Sequence, residues 1–599
     1  MSPRIPPGIS FLVQNLPQFA VPPSVTYILL HIYHSVYNAD DLSKILIATI
    51  YALSFPLAFM LNIWYSAILN RIAARRMGAI MLPGPSFWED PVPGSFLTLY
   101  RMTKNMASGY PGTSHKLKGC SELIAMNRVV SFEPSHIKAV LATQFDDFEK
   151  GRDAASILTS LLGTGVFAVD GELWNLTRPF FAKDKITHFD IFDRHAEQAI
   201  EKMRSRFKEG YAVDFQDVVS RFTLDSATEF LFGSDIGTLS DPLPYPFFTH
   251  TGSVEAVSDS DASQNQTFSA RFSRAFNEAQ TATAFRSRFG QMWPLFEFWK
   301  DKTEEKMKLV HGFLEPIINE GVRRSKEARG ILKEAKMEKA SEEGDTVLDH
   351  LITHTEDPII IRDEIMNLAV AGRDTTASLL TFTVYMLSQN PHILRKLREE
   401  ILAVIGPQRR PTYDDLREMK YLRAVLNETL RLYPPVPFDL RESNKDTTLP
   451  PIKPGDKPLF VPAGTRLVYT VFVMHRRVDL WGPDALKFDP DRFLDERVHK
   501  YLTPNPFIFL PFNAGPRICI GQQFAYNESS FFLVRLLQKF STIELSEESQ
   551  PLDSRPPASW KKEGGIKATE KVQLKSHLTM YVAGGLWAKM GEAGANEDM

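Results

Sequence analysis

An uninterrupted apolar stretch near the N-terminus is the first strong pattern in the chain. Residues 45–69 contain no charged side chain, and a helix of about 20 apolar residues is long enough to cross a bilayer. Arg71, Arg75 and Arg76 follow directly, and clustered basic residues mark the cytosolic flank of a span. The pattern predicts a transmembrane helix over about residues 45–69 with its C-terminal end facing the cytosol.

A second stretch without Lys, Arg, Asp or Glu covers residues 5–38. Its most apolar part, residues 25–37, is a candidate for a second and shorter membrane segment, with Asp40 and Asp41 beyond it. This part contains two histidines, and its only basic flank is Arg4. Because basic flanks set the orientation of spans, the sequence leaves open whether this segment crosses the membrane.

These segments divide the chain into three parts. Residues 1–82 form the predicted membrane anchor. The Pro-Gly-Pro sequence at residues 83–85 is a predicted hinge, because proline fixes the backbone and cannot continue a helix. Beyond the hinge, residues 86–599 have the pattern of a soluble and mostly helical domain.

One predicted helix in this domain carries an unusual interior. Asp357-Pro358 is a helix start signal, and the helical pattern continues to about Gln389. Gly372 and two adjacent threonines interrupt it, since glycine costs about 1 kcal/mol relative to alanine inside a helix and branched side chains crowd the preceding turn. We expect a local loosening of the helix here, which often marks a functional site.

A cysteine near the C-terminus has neighbours that are unusual for a buried thiol. Gly515 and Pro516 predict a tight turn, and a mostly apolar helix is predicted over residues 522–540. Cys519 would lie at the N-terminus of this helix, close to the positive charge of Arg517. Both features favour the thiolate, so Cys519 is a candidate nucleophile, redox sensor or metal ligand.

Composition adds two limits to this picture. The chain is 43% hydrophobic with a formal net charge of −3, which gives no support for nucleic-acid binding. Its two cysteines, Cys120 and Cys519, are far apart in sequence, which argues against a disulfide framework and favours a reducing compartment. Cys120 is assigned no role.

The sequence Phe-x-x-Gly-x-Arg-x-Cys-x-Gly resembles the haem-ligand loop of the cytochrome P450 family at all five fixed positions. The resemblance implies the fold of that family, mainly α with small β-sheets (α+β), and a haem whose iron is ligated by the Cys519 thiolate. In the family, Phe512 would pack against the loop and Arg517 would meet a haem propionate. Gly515 and Gly521 complete the predicted cofactor-binding loop.

Further propionate contacts are implied by the resemblance. Trp174-x-x-x-Arg178 places an indole N–H and a guanidinium on one helix face, a pair that the family uses for haem propionates. Arg441, after a short proline-rich segment, resembles another propionate-binding arginine. Thr177 departs from the family, because many relatives carry a basic residue there, so one propionate contact is expected to be missing.

Two motifs resemble the supporting scaffold of the family. Glu428 and Arg431 are spaced i and i+3 within a predicted helix, so they can pair on one face. Arg492, in a Pro-x-Arg-Phe sequence, completes the resemblance. The three side chains are expected to form a buried network that supports the cysteine loop, a structural role and not a catalytic one.

The interrupted helix resembles the Ala/Gly-Gly-x-Asp/Glu-Thr-Thr/Ser motif of the family. Reduction of O₂ in a dry pocket needs protons, and an acid with an alcohol can deliver them. Asp374 would link the site to bulk solvent, Thr375 would position a water molecule or donate to oxygen, and Gly372 would make room for the oxygen. The predicted substrate pocket comprises Ala371, Gly372, Val436 and Phe438.

The resemblance implies a haem-thiolate monooxygenase that inserts one oxygen atom from O₂ into a lipophilic substrate. Electrons from NADPH would come through a separate cytochrome P450 reductase, with cytochrome b5 as a second candidate donor. The enzyme would lie in the endoplasmic reticulum membrane, in contact with membrane lipids, with its catalytic domain facing the cytosol. The loop around Cys519 and the Ala-Gly-Arg-Asp-Thr-Thr sequence resemble the fungal alkane and fatty-acid hydroxylase branch.

Other functions are carried as alternatives. The first is broad oxidation of aromatic or terpenoid compounds in secondary metabolism. A second is a haem-dependent isomerase or dehydratase, which would not need the pair Asp374 and Thr375. A third is a haem sensor or electron carrier, which would not need an apolar pocket supplied with protons.

Overall fold

The fold is mainly helical with small β-sheets, as predicted, in a computed structural model of the chain. The structure describes residues 5–37, 42–84, 97, 100, 120–123, 128–167, 189–252, 268–334, 346–355, 357–563 and 566–594. The helices are α1 Pro7–Gln14, α2 Leu16–Tyr37, α3 Lys44–Arg76, α4 Pro134–Lys138, α5 Gly151–Leu162, α6 Phe189–Lys208, α7 Phe215–Phe232, α8 Phe268–Phe289, α9 Lys302–Glu334, α10 Val347–His354, α11 Pro358–Gln389, α12 Pro391–Val404, α13 Tyr413–Glu418, α14 Lys420–Leu432, α15 Val471–Met474, α16 Val478–Trp481, α17 Gln522–Lys539 and α18 Trp560–Glu563. The strands are β1 Ile80–Met81, β2 Cys120–Leu123, β3 Arg128–Ser131, β4 Phe148–Glu149, β5 Val213–Asp214, β6 Asp439–Ser443, β7 Thr447–Leu449, β8 Leu459–Val461, β9 Arg466–Tyr469, β10 Phe540–Leu545, β11 Leu574–Ser576, β12 Met580–Val582 and β13 Trp587–Glu592.

The predicted membrane helix is α3. The Ser43 hydroxyl caps it by accepting the N–H of Leu46 at 3.3 Å, and Arg75 and Arg76 occupy its last turn, where cations are favoured. Among the described residues, α3 is the one helix that length and composition together qualify as a membrane span. The helix α2 before it starts earlier than predicted, at Leu16, and contains Pro22 and Pro23.

The central helix α11 is uninterrupted, so the predicted loosening is wrong. The Asp357 carboxylate caps its start by accepting the N–H of Ile359 at 2.8 Å, and Pro391 opens the next helix. In the middle, the Thr375 hydroxyl donates to the carbonyl of Ala371 at 2.7 Å. Most residues of α11 are buried, and packing of this extent overrides the weak helix propensity of glycine and threonine.

Among the described helices, α7, α14 and α17 pack most extensively against α11. Helix α7 is capped by Asp214, whose carboxylate accepts the N–H of Gln216 at 3.0 Å, and it ends at Gly233 in the left-handed region, φ 78°. Helix α17 is apolar and deeply buried, as predicted, with Phe531 and Phe532 fully inaccessible. This packing holds the Asp374 segment and the helix that follows Cys519 in one core.

Small sheets lie beside this helical core. The largest has the order β2-β3-β9-β6-β4, with β3 and β9 parallel and the other neighbours antiparallel. A second, β1-β8-β7, joins the chain that leaves α3 to the rest of the protein. The C-terminal sheets are β10-β13-β5 and β11-β12.

Candidate active site

The cysteine loop is a tight turn with two residues in the left-handed region, Asn513 at φ 60° and Gly515 at φ 71°. The N–H of Cys519 donates to the carbonyl of Phe512 at 2.9 Å and closes the loop. A Cβ atom on Gly515 would lie 1.9 Å from the carbonyl oxygen of Leu141. The loop therefore needs glycine at 515 for two reasons, its backbone angle and its close approach to another backbone segment.

The Cys519 side chain has accessible surface, although protein atoms surround it closely enough that burial raises the pKa of its thiol. The N–H of Gly521 acts in the opposite direction and is the weaker influence. In the free thiol, burial therefore opposes the predicted effect of the helix N-terminus and of Arg517, and the thiolate stays a prediction. A metal ion at the sulfur would deprotonate it outright, so a soft thiolate ligand facing accessible space fits a haem iron.

The other predicted residues of the loop are Phe512, Arg517 and Gly521. The Phe512 ring lies 5.1 Å from the ring of Tyr526, centroid to centroid. The Arg517 guanidinium lies 5.5 Å from the ring centroid of Phe145, and its contact with a propionate stays a prediction. Gly521 precedes α17, and a Cβ atom there would make only ordinary contact with the Cys519 sulfur, at 3.9 Å.

A network that the sequence did not predict connects the loop to strands β6 and β9. The Arg441 guanidinium lies 3.1 Å from both carboxylate oxygens of Asp439. The same carboxylate accepts the side-chain N–H of Asn513 at 3.0 Å and the hydroxyl of Tyr469 at 2.9 Å. The acid two residues before Arg441 on a strand, hence on the same face, was the available sequence signal.

These contacts set the charge of Asp439. Burial raises the pKa of this carboxyl, but the charge of Arg441 and the hydrogen bonds from Asn513, the Leu440 N–H and Tyr469 outweigh burial and bring the pKa below its usual value. Asp439 is therefore ionised at neutral pH and holds Arg441, itself buried, beside the loop. Asp439 thus links Arg441 to Asn513 of the cysteine loop, and the contact of Arg441 with a propionate stays a prediction.

Asp374 is a nearly buried acid, with 10% of its side chain exposed. Burial raises the pKa of this carboxyl, and the charge of Arg373 at 3.3 Å and the side chain of Gln280 only partly oppose it. Its Oδ2 atom has no hydrogen-bond partner among the described residues. A carboxyl in this state retains a proton more readily than an exposed one, which suits an acid but gives no direct link to bulk solvent.

Thr375 and Gly372 differ in what surrounds them. The Thr375 hydroxyl donates to Ala371, so its oxygen is left as an acceptor for a second group. A Cβ atom on Gly372 would lie 3.2 Å from that of Ala227 on α7. Close packing of α7 on α11 therefore explains this glycine by itself, and a role in making room for oxygen stays a prediction.

The predicted supporting network is present and buried. The Arg431 guanidinium donates to both Glu428 carboxylate oxygens, at 2.7 and 2.8 Å, and Arg492 lies 3.4 Å from one of them. Arg431 also donates to the carbonyls of His475 and Ala485 at 2.7 and 2.6 Å. The three predicted side chains thus join α14 to the segment that leads into the cysteine loop.

Several site predictions stay untested by this geometry. Trp174 and Arg178 lie outside the described residues. Val436 is 38% exposed and Phe438 is half-buried beside β6, so both stay predictions for the substrate pocket.

Sequence reasoning missed a buried acid, Glu528, in the middle of α17. It is fully buried, and neither carboxylate oxygen has a hydrogen-bond partner among the described residues. Burial raises the pKa of this carboxyl well above its usual value, and the neighbouring Thr376 hydroxyl only partly opposes it. The signal that could have identified it was a glutamate shortly before the apolar run at residues 531–534 of a helix predicted to be buried.

Comparison with known proteins agrees with this geometry. The family model of cytochrome P450 matches residues 120–569. Cytochrome P450 52A3-A of Candida maltosa is 37% identical over 437 residues, 71% of this chain and 77% of the relative. Cytochrome P450 52A5 of the same yeast is 36% identical over 449 residues, 73% and 79%, and cytochrome P450 52A12 of Debaryomyces hansenii is 36% identical over 442 residues, 72% and 79%.

Proposed function

Because the chain belongs to the cytochrome P450 family and is therefore a haem-thiolate monooxygenase, we propose that it hydroxylates fatty acids or alkanes. The loop that presents Cys519 carries the monooxygenase part of this proposal, since its backbone angles, its closing hydrogen bond and the closely packed Gly515 fix the position of one sulfur. The fungal relatives confirm the predicted branch resemblance. That resemblance supports a long-chain aliphatic substrate.

Residues of the cysteine loop and of strand β6 would bind the cofactor. Cys519 would hold the haem iron, while Arg441 and Arg517 would neutralise the propionates. The bound haem supplies the binding and activation of O₂. The loop's hydrogen bond from the Cys519 N–H to Phe512 orients the sulfur, and the ion pair with Asp439 restricts Arg441 to one position.

Asp374 and Thr375 on α11 would hold and transfer protons. Burial favours the protonated form of Asp374, and its Oδ2 atom has no hydrogen-bond partner among the described residues. The Thr375 hydroxyl oxygen can accept a hydrogen bond while its proton is directed to Ala371. A water molecule between them would complete a path for proton transfer in a pocket from which bulk water is excluded.

The partners and location belong to the same proposal. The apolar helix α3 and the arginines at its end support an enzyme anchored in the endoplasmic reticulum membrane, with its catalytic domain facing the cytosol. In this position NADPH–cytochrome P450 reductase, with cytochrome b5 as a second candidate, would supply electrons. Fatty acids and alkanes concentrate in the bilayer, so an anchored enzyme meets them there.

Reconstitution tests this proposal. The full-length protein, incorporated into vesicles with a fungal reductase, is supplied with NADPH, O₂ and either dodecanoic acid or hexadecane. We expect hydroxylated product that requires NADPH, and a thiolate-type carbon monoxide difference band that Cys519→Ala abolishes. A wild-type protein that shows the band but oxidises neither substrate would contradict the aliphatic substrate. Product formed from a hydroperoxide without NADPH would instead favour an isomerase or dehydratase.

A further inference from the structure

The N-terminal helix α1 is attached to the catalytic domain. The N–H of Gly8 donates to the carbonyl of Phe298 at 3.0 Å, in the segment between the 3₁₀ turn Gly290–Leu295 and α9. Gly8 is buried, and a Cβ atom there would lie 2.1 Å from the Phe298 ring. The helix thus sits against the domain with its one glycine at the point of closest approach.

The other end of the anchor is attached to the same domain. After α3 the chain enters β1, which pairs in parallel with β8, and the N–H of Ile80 donates to the carbonyl of Pro458 at 2.9 Å. Ala74, in the last turn of α3, is buried in a small cluster with Ala79 and Phe460. The C-terminal end of α3 therefore lies at the catalytic domain.

Between these two attachments the chain forms a helical hairpin. Helix α2 begins at Leu16, directly after α1, and ends at Tyr37, and α3 begins at Lys44 and packs along it. The short connection makes the two helices antiparallel. At about 1.5 Å per residue, the 22 residues of α2 extend about 33 Å, enough for the roughly 30 Å hydrocarbon core of a bilayer.

From this arrangement we propose that α2 is a second membrane span, so that the N-terminus lies on the same side of the bilayer as the catalytic domain. Helix α3 leads from the domain to its N-terminal end at Lys44, which must lie on the opposite side. Helix α2 leads from that side back to α1, which is bonded to the domain. A chain with both ends on one side crosses an even number of times.

The surface of α2 suits lipid as its partner. Residues 5–38 contain no Lys, Arg, Asp or Glu. Its outward apolar side chains are 42–66% exposed in the protein alone and continue the apolar surface of α3, the span already identified. They are Phe19, Val21, Val25, Tyr27, Ile28, Leu29, Ile32, Tyr33 and Val36.

The two prolines of α2 lie where a membrane tolerates them. Pro22 and Pro23 have no N–H to donate, so the carbonyls of residues 18 and 19 lose their helical partners. These carbonyls are within the first turn of α2, about 5 Å from its start, and therefore in the headgroup region. Water can satisfy them there, which it cannot do in the hydrocarbon core.

The basic residues agree with this topology. Arg4 precedes α1, and Arg71, Arg75 and Arg76 end α3, so four arginines would lie on the side of the catalytic domain. The opposite side would contain Lys44 as its basic residue in the part of the chain from 5 to 76. An excess of basic residues on the cytosolic side is the general rule.

Glycosylation mapping of the full-length protein in microsomes tests the two spans. An Asn-Ser-Thr acceptor within a flexible spacer is inserted either ahead of residue 5 or at residue 40. We expect modification at residue 40 only. Modification at both positions would mean a single span with both segments in the lumen, and modification at neither, or ahead of residue 5 only, would equally overturn the proposal. The unaltered chain, with its four acceptor sequences at Asn175, Asn265, Asn427 and Asn527, should show no endoglycosidase-sensitive shift.

A pair of glycine variants tests the attachment of α1. Gly8→Leu would force the Phe298 ring away, whereas Gly312→Leu on α9 adds the same side chain where a Cβ atom meets nothing within 4 Å. We expect cleavage of an N-terminal tag by added protease to accelerate about tenfold in the first variant and to stay unchanged in the second. Equal cleavage rates would overturn the attachment of α1. The carbon monoxide difference band, preserved in both, keeps this result separate from the proposed function.

Discussion

Replacement of Gly515 by alanine should displace the cysteine loop. The added Cβ atom would lie 1.9 Å from the carbonyl oxygen of Leu141, and Cβ atoms do not approach other heavy atoms closer than 3.0 Å. That oxygen belongs to the backbone of the π-helical turn Ala139–Thr143, so no flexible side chain can yield. One of the two backbone segments must therefore move by more than 1 Å.

Two costs combine in this variant. The left-handed angle at residue 515, φ 71°, costs about 1–2 kcal/mol for any residue with a Cβ atom. Forcing an extra group into a packed site costs about 1–3 kcal/mol more. The sum, about 2–5 kcal/mol, is a large part of the roughly 5–15 kcal/mol that stabilises a protein domain, and the strain is released most easily by moving the loop that carries Cys519.

Gly406→Ala is the matched control. Gly406 has a similar backbone angle, φ 82°, but a Cβ atom there meets nothing within 4 Å. This variant is therefore destabilised by the left-handed backbone angle and not by a steric clash. Denaturant unfolding and the carbon monoxide difference spectrum are recorded for both. We expect Gly515→Ala to lose most of the thiolate-type band and to be about 1–3 kcal/mol less stable than the control. Equal stabilities, together with a full band in Gly515→Ala, would refute the steric reasoning.

Three further outcomes follow from the buried charges and the central helix. Glu428→Gln leaves the buried Arg431 guanidinium without its anion, while Arg492 keeps its ion pair with Asp484 at 3.1 Å. The variant should cost about 3–5 kcal/mol in denaturant unfolding, against about 0–1 kcal/mol for the exposed Glu320→Gln; similar costs would contradict the network. The folded pKa of Asp439 is below its unfolded value of about 3.9, so its stabilisation is present above that pH and is lost as the pH falls through the folded pKa. Asp439→Asn should flatten the acid limb of stability against pH, and an unchanged limb would contradict this role. Thr375→Ala should still bind substrate but yield several-fold less product per NADPH oxidised, and unchanged coupling would show that its hydroxyl moves no proton.

Contiguous signals were read correctly from the sequence. The charge-free run and its arginine flank located α3, and the capping Asp357 with Pro358 located the start of α11. The i and i+3 spacing of Glu428 and Arg431 identified a pair that the fold does bury. Each of these features is local, because caps, helix faces and apolar runs are determined by residues within a few turns of one another.

One prediction failed because neighbours outside the local window decide the result. The glycine and threonines of α11 predicted a loosened helix, but burial against α7 keeps it regular. At Cys519 the density of protein around the sulfur raises the pKa of the free thiol and opposes the local features that favour the thiolate. Propensity and local charge are weak compared with packing and desolvation.

The sequence by itself determined the family, and it located the cysteine predicted to bind the haem iron and the apolar helix α3, because each is encoded in a short run of residues. Only the tertiary structure decided that Asp439, the partner of Arg441, bonds to Asn513, which lies 74 residues after Asp439 in the chain. The contact of Gly8 with Phe298 was also decided by the tertiary structure. Contacts of this kind depend on how helices and strands from distant segments pack. A hydrogen bond between distant segments leaves no periodic trace in either of them, so its partners appear only when the chain is folded.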